Sequence, residues 1–495
     1  MVEVVSVNNM RISDKNTIEN KIPSRELMQR AGKGIFDAVE WHGKILIACG
    51  VGNNAGDGYV LASLLKDSGY DVKMVLTEKR FSPDGEYYFN ICNEKKVPWS
   101  VYNFEKIQDY DIIVDCIFGT GFKGEAQGAA RVLIENINQS GAYVVCADIN
   151  SGLNGDSGLG SVSVKSDLTV SIGSYKSGHF LGMAKDKIGA LVNCDIGISL
   201  VEKPYLLLEK GDACCLLGKR ENYSHKGTYG YIALIGGCLE YSGAVKLGNI
   251  SATAMRAGAG VVKVCAPKTV CGGILPFILE STLCPLSDRD GSIEFCEKEI
   301  QGALNNVKAV AIGMGMGQRG DNERIVKYIL ENYEIPVIID ADGLNTLSKM
   351  DIGVVKNSRC TVVLTPHLKE LERLSGVPLS QIEVDPVFYA REYAKKSGAI
   401  VLLKGTTTVI TDGDRVYLSS TGCAGMATAG SGDVLSGILS ALCARQADAL
   451  LAAALGAYIN GYAGEIAQEK LCDISMLASD TALSVAIAIK ELQGN

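Results

Sequence analysis

The stretch KILIACGVGNNAGDGYVLASLLKDSG (44–69) decides how the first half of the chain folds. It reads as a strand, KILIACG, a glycine-rich turn, and a helix from Asp57 onward. The glycines stand where a backbone turns tightly or approaches a ligand, beside one acidic residue, Asp57. Outward from it come DVKMVLTE (71–78), DIIVDCIFGTG (111–121) and AYVVCADINSG (142–152). Each is a short β-rich run ended by Gly, Asp or Asn and spaced by helical sequence. That alternation predicts a parallel sheet with helices on both faces. A helix is expected around 13–40, and LTVSIGSYKSGHFLG (168–182) and CDIGIS (194–199) read as the last strands of this unit.

Residues 200–222 break the pattern, and a domain boundary near 212 divides 1–211 from 212–495. The second half restarts with YGYIALIGG (229–237), followed by VVKVCAP, AVAIGMGMG, PVIIDADG, TVVLTPH, AIVLLKG, TTTVITDG and RVYLSS. Long helices of small residues follow from Asp433. The reading is a second α/β domain, and 495 residues are too many for one ordinary core.

Composition narrows the function. A net charge of −8 with no Lys/Arg block disfavours nucleic-acid binding. The apolar stretch 449–459 is shorter than a membrane span and reads as a buried helix. The start, MVEVVSVNNMRISD, lacks a basic segment followed by an apolar core, so no signal peptide is expected. Sixteen scattered cysteines, with no CxxC pair and only four histidines, point to buried thiols in a reducing cytosol.

In parallel sheets, ligands bind beyond the carboxyl ends of the strands. Asn53, Asn54, Asp57, Asp115, Gly119 and Asp148 all fall there. Asn54, Asp115 and Ser151, from three strand ends, could supply the hard oxygen ligands of a cation. Lys123, in the loop after Asp115, could attract a phosphate. In the second half, TAGSGDVLSG (428–437) is the sharper signal. Gly430, Ser431 and Gly432 lead into a helix whose first amides form an anion hole, with Asp433 beside it as a base. Asp340 and Asp342, in IDADGLN (339–345), could assist a magnesium ion. Lys404 and Gly405, at another strand end, suit contacts to a nucleotide. Each feature has a plain reading as a cap or a turn, His367 included.

Together the motifs resemble a known family. IPSRELMQRAG (22–32), GNNAGDG (52–58), DCIFGTGFKG (115–124) and DINSGLNGDSG (148–158) resemble NAD(P)H-hydrate epimerases. HKGTYG (225–230), GGCLEYSGA (236–244), IDADGLN, LTPH, LKGTTTVI and GMATAGSGDVLSG (425–437) resemble ADP-dependent NAD(P)H-hydrate dehydratases, which have a ribokinase-like fold. The motifs run in the order of the fused bacterial repair enzymes, which restore nicotinamide cofactors that have added water across a ring double bond. The epimerase interconverts the two hydrate epimers; the dehydratase uses ADP on the S form, giving AMP and phosphate.

The resemblance implies that Asn53, Asn54, Ala55, Gly56 and Asp57, with Gly119, Thr120, Gly121, Phe122, Lys123, Gly124 and Glu125, line the epimerase pocket. Asn54, Asp115 and Ser151 match potassium ligands, and Asp148 matches an acidic substrate contact suited to proton transfer. Lys404, Gly405, Thr406, Thr407 and Thr408, with Gly430, Ser431 and Gly432, are implied to hold ADP, with magnesium. Ala244, Gly315 and His367 are implied to touch the hydrate (NADHX or NADPHX), and Asp433 to activate its hydroxyl. A homo-oligomer, a tetramer among the forms, is also implied. The chain departs from the pattern at Lys21, Ala55, Asn150 and Cys238, where Gly, Gly, Pro and Ser are common. Two alternatives stay open: a ribokinase-like kinase of a stable alcohol, and a non-catalytic N-terminal binding module.

Overall fold

The computed structural model describes residues 1–252 and 256–494. The chain divides into two compact units, Glu3–Tyr205 and Leu206–Asn495, the latter with Met1–Val2.

The first unit holds a seven-stranded, all-parallel sheet. Its order is Trp99–Val101, Asp71–Leu76, Lys44–Cys49, Ile112–Cys116, Tyr143–Ala147, Ser166–Ile172 and Ile188–Cys194. The central strand Ile112–Cys116 is buried along its whole length, as a strand covered on both faces must be. Strand order reverses between Lys44–Cys49 and Ile112–Cys116, so the loops after Cys49 and Cys116 leave side by side. That is where open α/β sheets form a crevice. Gly50 makes the crevice possible, because a Cβ there would lie 1.9 Å from the Ile117 carbonyl oxygen.

Two expectations are corrected here. The helix around 13–40 is two helices, Val7–Asn20 and Ser24–Asp37. Pro23 forces the residue before it out of helical geometry and caps the second helix. The last strand is Ile188–Cys194, and CDIGIS contributes only Cys194 to it. Gly197, at φ 91°, turns the chain away from extended geometry. The edge strand before it is mostly exposed and carries little apolar signal.

In the second unit seven strands run parallel in the order Thr282–Leu286, Val261–Pro267, Tyr231–Ile235, Val307–Ile312, Val337–Ile339, Val362–Leu364 and Ile400–Leu403. Thr408–Thr411 and Val416–Ser419 add antiparallel, and Leu206 and Leu207 pair with Tyr417 and Leu418. Thr282–Leu286 escaped the sequence reading because Pro285 reads as a strand breaker; at a sheet edge it is tolerated. Helices Ser431–Cys443, Ala449–Leu471 and Ala478–Leu492 bury nearly every residue of the first from Val434 onward. A helix apolar all round belongs in a core. Among the described residues no helix is long and apolar enough to cross a membrane.

Candidate active sites

The crevice of the first unit is a cavity of ≈ 530 Å³. Asn53, Asn54, Asp57, Gly119, Thr120 and Asp148 are among its lining residues, as are Gly121 and Phe122. Ala55 and Gly56 instead lie on the buried face of helix Asn53–Asp67, while Lys123, Gly124 and Glu125 are exposed and outside the lining.

Asp115 and Ser151 sit beneath this floor, fully buried. Ser151 Oγ donates to Asp115 Oδ1 at 2.6 Å and accepts from the Phe118 amide at 2.7 Å. Asp115 also accepts from the amides of Ser151 (2.8 Å) and Ile117 (3.1 Å). Asn54 Nδ2 donates to the Phe118 carbonyl at 2.9 Å, and its Oδ1 is buried with no hydrogen-bond partner. An orphaned buried acceptor among a carboxylate, a hydroxyl and a carbonyl is a donor set suited to a hard cation.

Asp148 holds a left-handed backbone, φ 64°, uncommon for a residue with a Cβ. Its carboxylate pairs with Lys176, whose side chain is 1% exposed and whose Nζ also donates to the Ile172 carbonyl at 2.7 Å. Burial pushes the Asp148 carboxyl up, but the Lys176 ammonium carries it below its ordinary value. The Lys176 amide donates to His179 Nδ1 (3.0 Å), so His179 Nε2 carries the proton and donates to the Asp148 carbonyl (2.7 Å). Burial, and then Lys176, push the His179 imidazole down to about 4, which keeps it neutral. Asp57 goes the other way: burial and the neighbouring Asp148 charge raise its carboxyl well above the usual range. The sequence reading missed Lys176 and His179. Both lie in SYKSGH, where a lysine and histidine amid strand sequence were the available signal.

Asn150 answers for its departure from proline. Its Nδ2 lies 3.0 Å from the Val164 carbonyl, Ser166 Oγ and the Lys187 carbonyl, and its Oδ1 accepts from Thr169 Oγ1 at 2.6 Å. Side-chain hydrogen bonds clamp the turn that a ring would stiffen.

The second unit forms a cavity of ≈ 560 Å³ that brings together Ala244, Gly315, Asp342 and Asp433. Helix Ser431–Cys443 starts at Gly430, φ 96°, where a Cβ would meet Leu247 Cδ1 at 2.4 Å. Helix geometry leaves the amides of Gly432 and Asp433 without intrahelical acceptors, a natural seat for an anion. Below that turn, Asp340 (2% exposed) pairs with Lys404 Nζ at 2.9 Å and accepts from Ser436 Oγ at 2.8 Å. Gly432 lets the turn sit close, since a Cβ there would stand 3.1 Å from Asp340 Oδ2. Burial pushes the Asp340 carboxyl up, and Lys404 holds it below its ordinary value. Burial, and then the Asp340 charge, raise Asp433 to about 7.

Lys404 and Gly405 open the turn between strands Ile400–Leu403 and Thr408–Thr411, with Thr406 exposed and Thr407 buried. His367 caps helix Leu368–Ser375, accepting at Nδ1 from the Glu370 amide (3.2 Å), and lies outside the cavity lining.

The model of NAD(P)H-hydrate dehydratase matches residues 232–485, and that of the YjeF-related protein N-terminus matches 24–178. The bifunctional NAD(P)H-hydrate repair enzyme Nnr of Moorella thermoacetica is 34% identical, with 96% of this chain and 94% of that protein aligned. The chain belongs to the bifunctional NAD(P)H-hydrate repair enzymes. A solved Bacillus subtilis protein, an ADP/ATP-dependent NAD(P)H-hydrate dehydratase co-crystallised with ATP and magnesium, is 28% identical. It superposes with TM-score 0.50 over 58% of this chain and 99% of its own. A ribokinase-like protein of Enterococcus faecalis, 22% identical with TM-score 0.50 over 60% of this chain and 99% of its own, shares the fold. Membership in the repair family fits neither a kinase of a stable alcohol nor a non-catalytic first half.

Proposed function

We propose that this chain repairs hydrated nicotinamide cofactors, with Glu3–Tyr205 as the NAD(P)H-hydrate epimerase and Leu206–Asn495 as the ADP-dependent dehydratase. These ranges are those of the compact units, close to the boundary expected near 212. The observation that carries the reading is Asp433, poised at about 7 in the first turn of a helix and facing a cavity with Ala244 and Gly315.

A base near neutrality can take the proton of the substrate hydroxyl as its oxygen attacks the terminal phosphoryl group of ADP. AMP departs. The ring nitrogen then pushes electrons toward the ring, the C–O bond breaks, phosphate leaves, and the proton lost from the adjacent carbon restores the double bond. Gly430, Ser431 and Gly432 supply the amides that hold the phosphoryl group, and Lys404 through Thr408 the nucleotide contacts. Magnesium, bound with the nucleotide, would neutralise phosphate charge; Asp342 lines the same cavity and suits it.

Inversion of the hydroxyl-bearing carbon beside the ring nitrogen balances if an acid protonates the hydroxyl as it leaves as water, the nitrogen supplying the electron pair, and a base takes the proton of the water that adds to the opposite face. Asp57, whose carboxyl is pushed up by burial, and Asp148, whose carboxyl Lys176 holds low, line one cavity and suit the acid and base roles respectively. Potassium is part of the proposal, with Asn54, Asp115 and Ser151 as holders; the unpartnered Asn54 Oδ1 supports it. So are a cytosolic location, supported by the many buried thiols, and a homo-oligomer. Leu275, Phe277 and Leu279 leave large apolar side chains exposed for an interface between copies.

The test is an epimeric mixture of NADH hydrate with ADP and magnesium, followed at the dihydronicotinamide absorbance. Full, ADP-dependent recovery supports both activities. Recovery that stops at the S fraction in the presence of potassium, with spontaneous epimerisation slow, removes the epimerase. No recovery with ADP or ATP removes the dehydratase.

A further inference from the structure

A cavity of another character lies in the second unit, outside the site of Asp433. It measures ≈ 360 Å³ and is lined by Lys219, Arg220, Arg256 and Arg445, with no acidic side chain among the described residues of its wall. In a chain of net charge −8, four cationic side chains around one cavity call for a reason.

Arg220 is fixed in place. Its Nη2 donates to the carbonyls of Gly258 (3.0 Å) and Ala259 (3.3 Å), and its guanidinium carbon lies 4.1 Å from the centre of the Tyr229 ring. Tyr229 comes from HKGTYG, a motif the catalytic site does not use. Arg445 faces the same ring at 5.7 Å, and its Nη1 stands 2.1 Å from where a Cβ on Gly258 would be. Glycine at 258, φ 101°, therefore clears the seat of this arginine. Burial, and then the charge of Arg220, push the Arg445 guanidinium below its ordinary value.

One arginine at a helix C-terminus is explained by the helix dipole, and Arg445 does follow helix Ser431–Cys443. The dipole does not explain a second guanidinium anchored against the first. Arg220 is exposed and Arg445 half-buried, so the repulsion between them is partly screened by water, and a bound anion bridging the two forks would offset what remains. Guanidinium forks match phosphate oxygens two by two. The volume sits at the low end of small-ligand pockets, about 300–1,000 Å³, too small for a dinucleotide.

We propose that this cavity binds a small phosphate-bearing anion, the size of pyrophosphate or a phosphate monoester, at a site separate from the nucleotide site. The 13-residue helix Ser431–Cys443 has Asp433 in its first turn and Arg445 just past its end. At about 1.5 Å per residue the two ends lie roughly 20 Å apart.

The experiment is calorimetric titration of the full chain with inorganic pyrophosphate, and separately with ribose 5-phosphate, in saturating ADP without magnesium. The expected result is one site per chain for at least one of the two probes. Arg220→Gln and Arg445→Gln should each weaken it at least tenfold, and added salt should weaken it too. Preference for pyrophosphate assigns a free inorganic anion, and preference for ribose 5-phosphate assigns the phosphoryl end of a metabolite. Binding that ADP abolishes, binding unchanged in both variants, or no binding at millimolar concentration overturns the proposal. Each variant must retain ADP-dependent dehydration. If neither folds, the exposed Arg256→Gln replaces them, with at least threefold weakening expected and none overturning.

Discussion

The two units use the same electrostatic device and expose opposite ends of it. Each has a lysine tied to a buried carboxylate, Lys176 with Asp148 and Lys404 with Asp340, and a second carboxylate left without a cation of its own. In each, the tied carboxyl lies below its ordinary value and the other lies above it. In the first unit both members, Asp148 and Asp57, face the cavity. In the second, Asp340 stays beneath the floor and only Asp433 faces it. Proton traffic in two directions needs both partners at the substrate. Activation of one hydroxyl needs one base, and the other charge serves to tune it.

The comparison breaks most readily at Asp433. Asp433→Ala should lower ADP-dependent dehydration by about 10²–10⁴-fold, the usual range for a general base, while epimerisation stays unchanged. Loss below tenfold would remove Asp433 as the base. The next largest effect is on stability. Lys176→Met strands a buried carboxylate and should cost about 3–5 kcal/mol. Both tryptophans, Trp41 and Trp99, lie in Glu3–Tyr205, so urea unfolding followed by their fluorescence reports on that unit alone. Lys176→Met combined with Asp148→Asn should recover part of the loss. If the double variant is no more stable than the single, the ion pair is not what Lys176 contributes.

The pH profiles sharpen the contrast. Asp433 must be ionised to act, and its value is about 7. Dehydration should therefore fall about tenfold per pH unit below 7 and level off above it. Lys404 lowers Asp433, so Lys404→Met should move that limb to higher pH as well as weakening ADP binding. Epimerisation should show no such limb from Asp148, whose carboxyl lies low, and should decline on the basic side as Asp57 loses its proton. A common limb in both activities would mean that the two devices are not distinct.

The positions of these carboxylates were legible in the sequence, because each parallel strand ends in a polar residue and such ends converge. Asp148 and Asp340 could be named from the strands they follow, and Asp433 from the glycine turn that opens its helix. Their pairing was not legible. Lys176 reaches Asp148 across 28 positions and Lys404 reaches Asp340 across 64, and only strand register decides which lysine meets which carboxylate. For the same reason His179 read as strand sequence rather than as the residue that grips the Asp148 backbone. The separation of Val7–Asn20 from Ser24–Asp37 was present in Ile22–Pro23 but was overridden by the helical pattern on either side.

The smallest expected effect tests whether tuning Asp433 weakens the fold. A carboxyl raised in the folded state favours its protonated form there, so the folded state binds more protons than the unfolded one between about pH 4 and pH 7. The Asp433 contribution to stability therefore falls as pH rises through that window and stays low above it. Asp433→Asn keeps the shape and removes the charge. It should stabilise Leu206–Asn495 at pH 8 by roughly 0.5–2 kcal/mol, in the range of common stabilising substitutions, and the gain should shrink toward zero at pH 4. Calorimetric unfolding of the full chain at the two pH values measures this, with the tryptophan signal marking the transition of the first unit. A gain independent of pH would place its origin in packing rather than charge. No gain at pH 8 would mean that the Asp340 charge reaches Asp433 too weakly to set its proton affinity, and the likeness between the two units would end at their geometry.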